Sequence, residues 1–327
     1  MGVDCRRQNA TTAILGVCWF TLWTGFSFGA HFFTRLTIGL STGHLDSWLT
    51  ITALTICQLL IGYTVLGALL LVLKRKNRSS PPAAQLEIFN DLRPKPSMTS
   101  LYLAHAMATF ATNASMVYAN AGSVFTIKAF EPISTATLTS MLIGEKLRTH
   151  VIISLPLVVS GALGFVSTPS NAETATYGLA LAFISNILFG VRNINLKLTH
   201  NIYSSAINKL EFLQTMSWNS AMFLYPVLFI LFGAQGSLAI HISLVDSLIS
   251  GVFHITYTVI STCVILKYTS TIGHATCNLL KRILVAIFFF LLGKTAISSS
   301  NWVMGMIMLI GLVIYILPDA LIPIKGW

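Results

Sequence analysis

Ten blocks of apolar residues, each long enough for a membrane-spanning helix, dominate this sequence. They lie near 12–34, 46–73, 98–119, 122–143, 150–167, 175–199, 210–233, 243–267, 272–293 and 301–318. A helix needs roughly 20 apolar residues to cross the hydrocarbon core of a bilayer. Only 9% of the residues are charged, against about a quarter in a soluble domain. We therefore predict an all-α membrane protein whose ten transmembrane helices lie in the lipid bilayer.

The basic residues indicate how these helices are oriented. With ten spans, most basic residues fall on one side of the membrane: Arg6, Arg7, Lys74, Arg75, Lys76, Arg78, Arg93, Lys95, Lys146, Arg148, Lys209, Lys267 and Lys325. The opposite loops hold Lys294, with Arg35 at the end of the first span. Cytoplasmic loops carry such an excess of lysine and arginine. We predict that both termini are cytosolic and that the net charge of +10 does not indicate binding to nucleic acid.

Ten spans divide into two sets of five. Because five is odd, two related halves would enter the membrane in opposite orientations, an inverted repeat that places a transporter's substrate between the halves near the midplane. The fourth span ends in Met141-Leu-Ile-Gly-Glu-Lys146 and the ninth in Leu291-Leu-Gly-Lys-Thr295, which is a weak signal of repetition. We predict two inverted five-helix halves, residues 1–170 and 171–327, that form one transporter domain.

Motifs for ATP-driven pumping and for catalysis are missing from the sequence. It contains no GxxxxGK[ST] phosphate loop, no HExxH pair and no nucleophile–base pair with the spacing of a known enzyme family. Its five cysteines are not spaced as metal ligands or as a redox pair. We predict a protein that is not an enzyme and that uses no cofactor or metal.

Charged residues inside the spans point to a function. They are Lys128, Glu131, Arg192, Lys281 and Arg282, with Lys197 near a cytosolic end. A charge at the centre of a span costs about 2.5–3.5 kcal/mol on insertion scales. Glu131 lies three residues after Lys128 and could neutralise it, which leaves about three positive charges without an acid. An anionic cargo such as a phosphate ester would balance most of them, although the cations could instead be structural.

Polar side chains recur at helical spacing on four of the spans. The stripes are Trp23, Ser27, His31 and Arg35; Tyr102, His105, Thr109 and Asn113; His254, Tyr257 and Ser261; and His274, Asn278, Lys281 and Arg282. Together they predict one polar cavity between the helices. The alternative is that these groups only form hydrogen bonds between neighbouring helices.

Three motifs, in the same order along the chain, resemble the triose-phosphate translocator family of the drug/metabolite transporter superfamily. They are Phe125-Thr-Ile-Lys-Ala-Phe-Glu-Pro132, Val191-Arg-Asn193 with Lys197 five residues after the arginine, and Asn278-Leu-Leu-Lys-Arg282. The resemblance implies ten spans in two inverted halves. It also implies counter-exchange of inorganic phosphate with sugar phosphates of three to six carbons or with phosphoenolpyruvate.

The resemblance also implies which residues bind the cargo. The family's phosphate-binding cations correspond to Lys281, Arg282 and either Lys128 or Arg192. Three positions depart from the plant members: Phe125 replaces a histidine, Thr258 (with Tyr257 beside it) replaces a tyrosine, and Thr34-Arg35 replaces an Asn-Lys pair. The predicted substrate-binding residues are Lys281, Arg282, Lys128, Arg192, Lys197, Arg35, Tyr257, His274 and Asn278.

These observations predict an antiporter that exchanges inorganic phosphate for a phosphorylated C3–C6 metabolite by alternating access, as a monomer or homodimer. A nucleotide-sugar transporter of the Golgi or ER is the main alternative, because a diphosphate also needs cations. A membrane enzyme acting on a phosphorylated lipid and a receptor or scaffold that transports nothing are further alternatives. The segment before the first span is too short for a plastid transit peptide, so a plastid-type envelope and a Golgi or ER membrane are both open.

Overall fold

The computed structural model describes residues 2–39, 44–76, 97–144, 149–165, 172–200, 206–235, 243–265, 271–292 and 299–321, and within these ranges it contains helices and no strand. The helices in these ranges are α1 (Gly2–Ile38), α2 (His44–Lys76), α3 (Met98–Tyr118), α4 (Ala121–Lys128), α5 (Glu131–Ile143), α6 (Thr149–Phe165), α7 (Ala172–His200), α8 (Ala206–Gln235), α9 (Leu244–Val259), α10 (Thr271–Leu292) and α11 (Ser299–Leu321). A π-helical turn, Ile260–Ile265, continues α9. The prediction of an all-α membrane protein is confirmed.

The helices carry the apolar surface that a bilayer requires. Among the described residues, four segments are long and apolar enough to cross a membrane by length and composition: Ser47–Arg75, Thr174–Leu196, Ile207–Ala234 and Leu244–Ile265. Thr149–Phe165 and Ser299–Tyr315 are shorter apolar helices. Large apolar side chains such as Leu71, Phe229 and Leu244 are exposed. So much exposed apolar surface suits contact with lipid.

The fourth span is broken, whereas the sequence predicts one continuous span over 122–143. Helix α4 ends at Lys128 and α5 begins at Glu131, with Pro132 in the first turn of α5. Proline has no backbone N–H to donate to the carbonyl four residues earlier, and its ring clashes with that carbonyl, which here belongs to Lys128. The break therefore leaves Lys128 at a helix C-terminus and Glu131 at a helix N-terminus, where the helix dipoles favour each charge.

The packing of the helices has an internal symmetry. With α4 and α5 taken together as span four, five extensive contacts join spans 1 and 8 (α1, α9), 3 and 6 (α3, α7), 2 and 7 (α2, α8), 4 and 9 (α4, α10), and 5 and 10 (α6, α11). When five is added to or subtracted from each span number, the 1–8 and 3–6 contacts exchange and the other three are unchanged. The further contacts between spans 2 and 8 and between spans 4 and 6 likewise have counterparts, between spans 3 and 7 and between spans 1 and 9. Two structurally related halves would produce this pattern. The predicted boundary between residues 170 and 171 lies outside the described residues and stays a proposal.

One close helix contact yields a stability prediction. At Gly161 of α6, an added Cβ would lie 2.4 Å from the Met308 backbone nitrogen and 2.8 Å from the Met304 carbonyl oxygen of α11. Because backbone atoms cannot rotate away, we expect Gly161→Ala to lower the free energy of unfolding by about 1–3 kcal/mol. Thermal unfolding in detergent measures this. Gly233→Ala is the matched control, since a Cβ there meets nothing within 4 Å; equal losses in the two variants would contradict the prediction.

Candidate anion-binding site

Four cationic side chains from both halves of the chain lie close together inside the helix bundle. Lys128 comes from the end of α4, Arg192 from α7, and Lys281 and Arg282 from α10. Lys128 is only 2% exposed, Lys281 6% and Arg282 9%, and Arg192 is half-buried. Lys128 and Lys281 each lie within electrostatic range of Arg192 and Arg282. The structure therefore brings together the four cations that the sequence places in the spans.

Lys128 is held by neutral groups. Its Nζ donates to Thr112 Oγ1 of α3 at 3.0 Å and to Ser185 Oγ of α7 at 2.8 Å. It also lies 4.5 Å from the centre of the Phe189 ring. Ser185, Phe189 and Arg192 follow one face of α7 at spacings of four and three, a periodic signal that the sequence analysis missed. These contacts position the ammonium group and leave its charge without an acid.

Lys281 lies between two aromatic rings. Its Nζ is 4.4 Å from the centre of the Trp23 ring of α1 and 5.1 Å from that of Tyr257 of α9. Within the described residues, Lys281 has no hydrogen bond or ion pair. An ammonium group is attracted to the negative face of an aromatic ring. The rings therefore hold the ammonium in place without supplying a counter-charge.

Arg282 is ion-paired to Glu131 at the start of α5. From its position three residues after Lys128, Glu131 is expected to be able to neutralise that lysine; in the structure its direct ion pair is with Arg282, and Lys128 lies within its electrostatic range. The break at Ala129–Phe130 ends the helical spacing that would stack the two residues on one face. Consequently Glu131 meets α10, where Arg282 lies 151 residues further along the chain.

Asn193 extends this pair to Arg192. The Asn193 Nδ2 donates to Glu131 Oε1 at 3.3 Å, while its Oδ1 accepts from Arg192 Nε at 3.1 Å and Nη2 at 2.7 Å. Arg192 also lies over the Phe189 ring, 4.5 Å from its centre. Arg192 Nη1 and His105 Nδ1 are 3.5 Å apart. The linked groups therefore come from α3, α5, α7 and α10.

The cluster carries a positive surplus. It contains four cations and one carboxylate, Glu131, which leaves three positive charges. Across the described ranges, no other acidic side chain forms an ion pair with these cations; the other recorded ion pair, Lys74–Glu211, lies at the surface with 56% and 42% of the side chains exposed. Buried charges are normally paired. A bound anion would therefore compensate this excess of positive charge.

The other predicted site residues do not all lie in the cation cluster. Tyr257 contacts Lys281, as described, and its hydroxyl lies 3.3 Å from His254 Nδ1. Asn278 is partly buried one turn before Lys281 and Arg282. Arg35 donates to the Ala119 carbonyl oxygen at 3.5 Å, at the end of α3, and the structure does not bring it into the cation cluster. Lys197 and His274 belong to α7 and α10, but their side chains lie outside the described residues.

The polar side chains on α3 make two kinds of contact. His105 faces Arg192, whereas Asn113 donates to Thr55 Oγ1 at 2.9 Å and to Gln58 Oε1 at 3.0 Å on α2. The Gln58 Nε2 in turn donates to Thr34 Oγ1 at 2.8 Å, and also to the Ser250 hydroxyl. For Asn113, the alternative of an interhelical hydrogen bond therefore holds. Gln58 was missed, although a buried amide in an apolar span is a recognisable signal.

Phe125 and Thr258 are two of the positions at which the sequence departs from the plant members of the family that it resembles. The Phe125 ring stacks on Phe289 with centres 5.6 Å apart and 6° between planes, and it lies 4.6 Å from the His31 ring. That position is therefore apolar. Thr258 donates to the His254 carbonyl of its own helix at 2.8 Å, whereas the neighbouring Tyr257 approaches Lys281. The phenol next to the cations is thus supplied by Tyr257.

This fold and this cluster define a multi-span helical membrane protein with an excess of buried positive charge, and comparison with known proteins identifies the family. Residues 19–316 match the sequence model of the Triose-phosphate Transporter family. The chain belongs to this family, whose members are transporters and not enzymes. The resemblance and the prediction that the protein is not an enzyme are both confirmed.

Three chloroplast proteins are similar to this chain. It is 27% identical to phosphoenolpyruvate/phosphate translocator 2, chloroplastic, of Arabidopsis thaliana, over 67% of this chain and 59% of that protein. It is 25% identical to translocator 1 of the same description from Oryza sativa subsp. japonica, over 66% and 54%, and 24% identical to that of Arabidopsis thaliana, over 76% and 59%. The chain therefore spans less than two thirds of the length of these relatives.

A crystal structure of another protein has the same fold. It superposes with a TM-score of 0.55 at 14% sequence identity, over 95% of this chain and 98% of the other. At this identity the likeness shows the fold alone.

Proposed function

We propose that this protein is an antiporter that exchanges inorganic phosphate for a phosphorylated C3–C6 metabolite by alternating access. The observation that carries the proposal is the surplus of three positive charges, with Lys281 held, within the described residues, by aromatic rings. Translocation of phosphate and phosphoenolpyruvate by the named relatives supports the same substrate class. Phosphate esters carry up to two negative charges at neutral pH, so one such group balances most of the surplus.

In this mechanism the phosphoryl group binds between the two halves. Lys281 and Arg282 approach it from α10, and Lys128 and Arg192 from α4 and α7. An arginine offers a fork of donors to two phosphate oxygens, and a lysine offers a compact point charge. Without cargo, the mutual repulsion of these cations opposes closure of the site. With cargo, closure becomes favourable, so the carrier changes sides mainly when loaded, and transport takes the form of exchange.

The location of the protein is part of the proposal. The relatives named as chloroplastic support a plastid-type envelope over a Golgi or ER membrane. The distribution of lysine and arginine supports cytosolic termini. A monomer or a homodimer is compatible with a site formed within one chain.

The proposal is tested by thermal unfolding of purified protein with phosphate, triose phosphates, phosphoenolpyruvate, hexose phosphates and nucleotide sugars. A ligand at 100 times its Kd stabilises the native state by about 2.7 kcal/mol. We expect phosphate and at least one phosphorylated C3–C6 metabolite to raise the unfolding temperature, with chloride at equal ionic strength as the control. Stabilisation by nucleotide sugars alone would favour the Golgi or ER alternative, and stabilisation by none of these ligands would contradict transport of organic phosphates.

Exchange itself is measured in liposomes. Labelled phosphate should enter vesicles loaded with phosphate much faster than empty vesicles. Equal rates would contradict antiport.

A further inference from the structure

We propose that Glu131 competes with the cargo for Arg282, occupying this arginine in the empty carrier and being displaced from it by the phosphoryl group. This inference rests on the proposed function. In this role Glu131 acts as a competitor within the site and sets the affinity for phosphate and the rate of its release.

The first observation is the ion pair itself. Among the described residues, Glu131 is the carboxylate ion-paired within the cation cluster, and its partner is Arg282, one of the two adjacent cations of α10. A carboxylate and a phosphoryl oxygen make the same kind of charge-assisted hydrogen bond to a guanidinium group. The two anions therefore seek the same donors, and both cannot use them at full strength.

The second observation is that Arg282 is incompletely bonded. Its Nε is buried and has no hydrogen-bond partner among the described residues. Buried polar groups are almost always hydrogen-bonded, so an unpaired donor requires an explanation. Two oxygens of one phosphate can accept from Nε and from a terminal nitrogen of the same guanidinium group, whereas the contact with Glu131 leaves Nε without an acceptor among the described residues.

The third observation is that Glu131 keeps other partners when it releases Arg282. The Asn193 amide donates to its Oε1 at 3.3 Å, and Glu131 occupies the first turn of α5. Backbone N–H groups at a helix N-terminus favour a negative charge. The released carboxylate therefore remains stabilised inside the protein, so that displacement by cargo costs less than creation of an isolated buried charge.

The displacement has a consequence for the other half of the site. Asn193 donates to Glu131 and accepts from Arg192. When Glu131 leaves Arg282, its charge shifts toward Asn193 and Arg192. Binding of cargo on α10 is thereby transmitted to α7 through one carboxylate and one amide.

A purely structural role for Glu131 makes the opposite prediction. If the carboxylate serves to orient Arg282 for the cargo, its removal weakens phosphate binding. If it competes with the cargo, its removal strengthens binding. The sign of the change in Kd therefore distinguishes the two roles.

The test is phosphate binding by the full chain in detergent, measured by calorimetry, for the wild type and Glu131→Gln. Coupling between two binding equilibria typically changes an affinity by about 5–150-fold. Treating the Glu131–Arg282 contact as the equilibrium coupled to phosphate binding, we expect Glu131→Gln to bind inorganic phosphate at least about fivefold more tightly. Without phosphate, the variant should unfold at a lower temperature, because four cations then lack their acid. Glu211→Gln is the matched control, since it makes the same change in an exposed pair with Lys74, and it should bind phosphate as the wild type does.

A second variant keeps the charge and shortens its reach. Glu131→Asp removes one methylene group and should weaken the contact with Arg282, so its affinity for phosphate should also rise, and its maximal exchange rate should fall because release is slower. Unchanged or weaker phosphate binding by either variant, with the wild type binding normally, would overturn the role of Glu131 and leave the proposed function intact. A wild type that binds no phosphate would instead overturn the proposed function.

Discussion

Replacing Lys281 with alanine is expected to abolish phosphate exchange while leaving the protein as stable as the wild type, or more stable. The Lys281 ammonium contacts the Trp23 and Tyr257 rings, and within the described residues it has no acidic partner. Its removal therefore leaves no unpaired buried carboxylate, and it relieves repulsion from Arg282 and Arg192. Loss of a buried charge that bonds a ligand costs about 2–5 kcal/mol of binding free energy, which corresponds to roughly 30-fold or more in affinity.

Exchange in liposomes and the unfolding temperature in phosphate-free buffer measure the two parts of this prediction. Lys74→Ala is the matched control, because Lys74 is exposed and pairs with Glu211 away from the cluster; its exchange should be normal. Lys281→Arg keeps the charge and should retain part of the activity. Undiminished exchange by Lys281→Ala would remove Lys281 from the binding site, and a lost activity accompanied by a lower unfolding temperature would indicate a structural role.

The fold was predictable from the sequence because its strongest signals are local. An apolar block long enough for the bilayer favours a helix whatever its neighbours are. Each predicted block overlaps a helix of the structure, and the fourth is divided between α4 and α5. The break in the fourth span depends on Pro132. Because the residues around this proline form one apolar block, hydropathy alone predicts a single continuous span there. The structure shows instead that the helix ends at Lys128 and a new one begins at Glu131.

The cations of the site were predictable for a similar reason. A charge in an apolar span is conspicuous in the sequence, so Lys128, Arg192, Lys281 and Arg282 were identified before their neighbours were known. The partners were not predictable, because they come from other helices. Glu131 was assigned to Lys128 by nearness in the chain, whereas the structure pairs it with a residue 151 positions away.

The partners also decide what each cation contributes. Lys128 is fixed by hydroxyl groups, Lys281 by aromatic rings, and Arg282 by a carboxylate. Hydroxyls and rings position a cation without cancelling its charge, so Lys128 and Lys281 keep their full attraction for an anion. The Arg282 guanidinium is partly neutralised already. Adjacent residues of one motif are therefore expected to differ in their effects on stability.

Arg282→Ala is accordingly expected to lose both phosphate exchange and stability, unlike Lys281→Ala. Removing Arg282 leaves the Glu131 carboxylate, which is only 3% exposed, without its ion-pair partner. Breaking a buried pair by removing one member costs about 3–5 kcal/mol. We expect a fall in unfolding temperature for Arg282→Ala that Lys281→Ala does not show.

The double variant Arg282→Ala/Glu131→Gln separates the two effects. With the carboxylate replaced by a neutral amide, no buried carboxylate is left without its cation, and the surplus of three positive charges equals that of the wild type, so stability should return most of the way to the wild-type value. Phosphate exchange should stay lost, because Arg282 itself is absent. Thermal unfolding of the four proteins of this double-mutant cycle gives the coupling free energy between the two residues. A coupling near zero would mean that Glu131 and Arg282 do not stabilise one another. A large coupling together with lost exchange would mean that the ion pair stabilises the empty carrier and that Arg282 binds the phosphate.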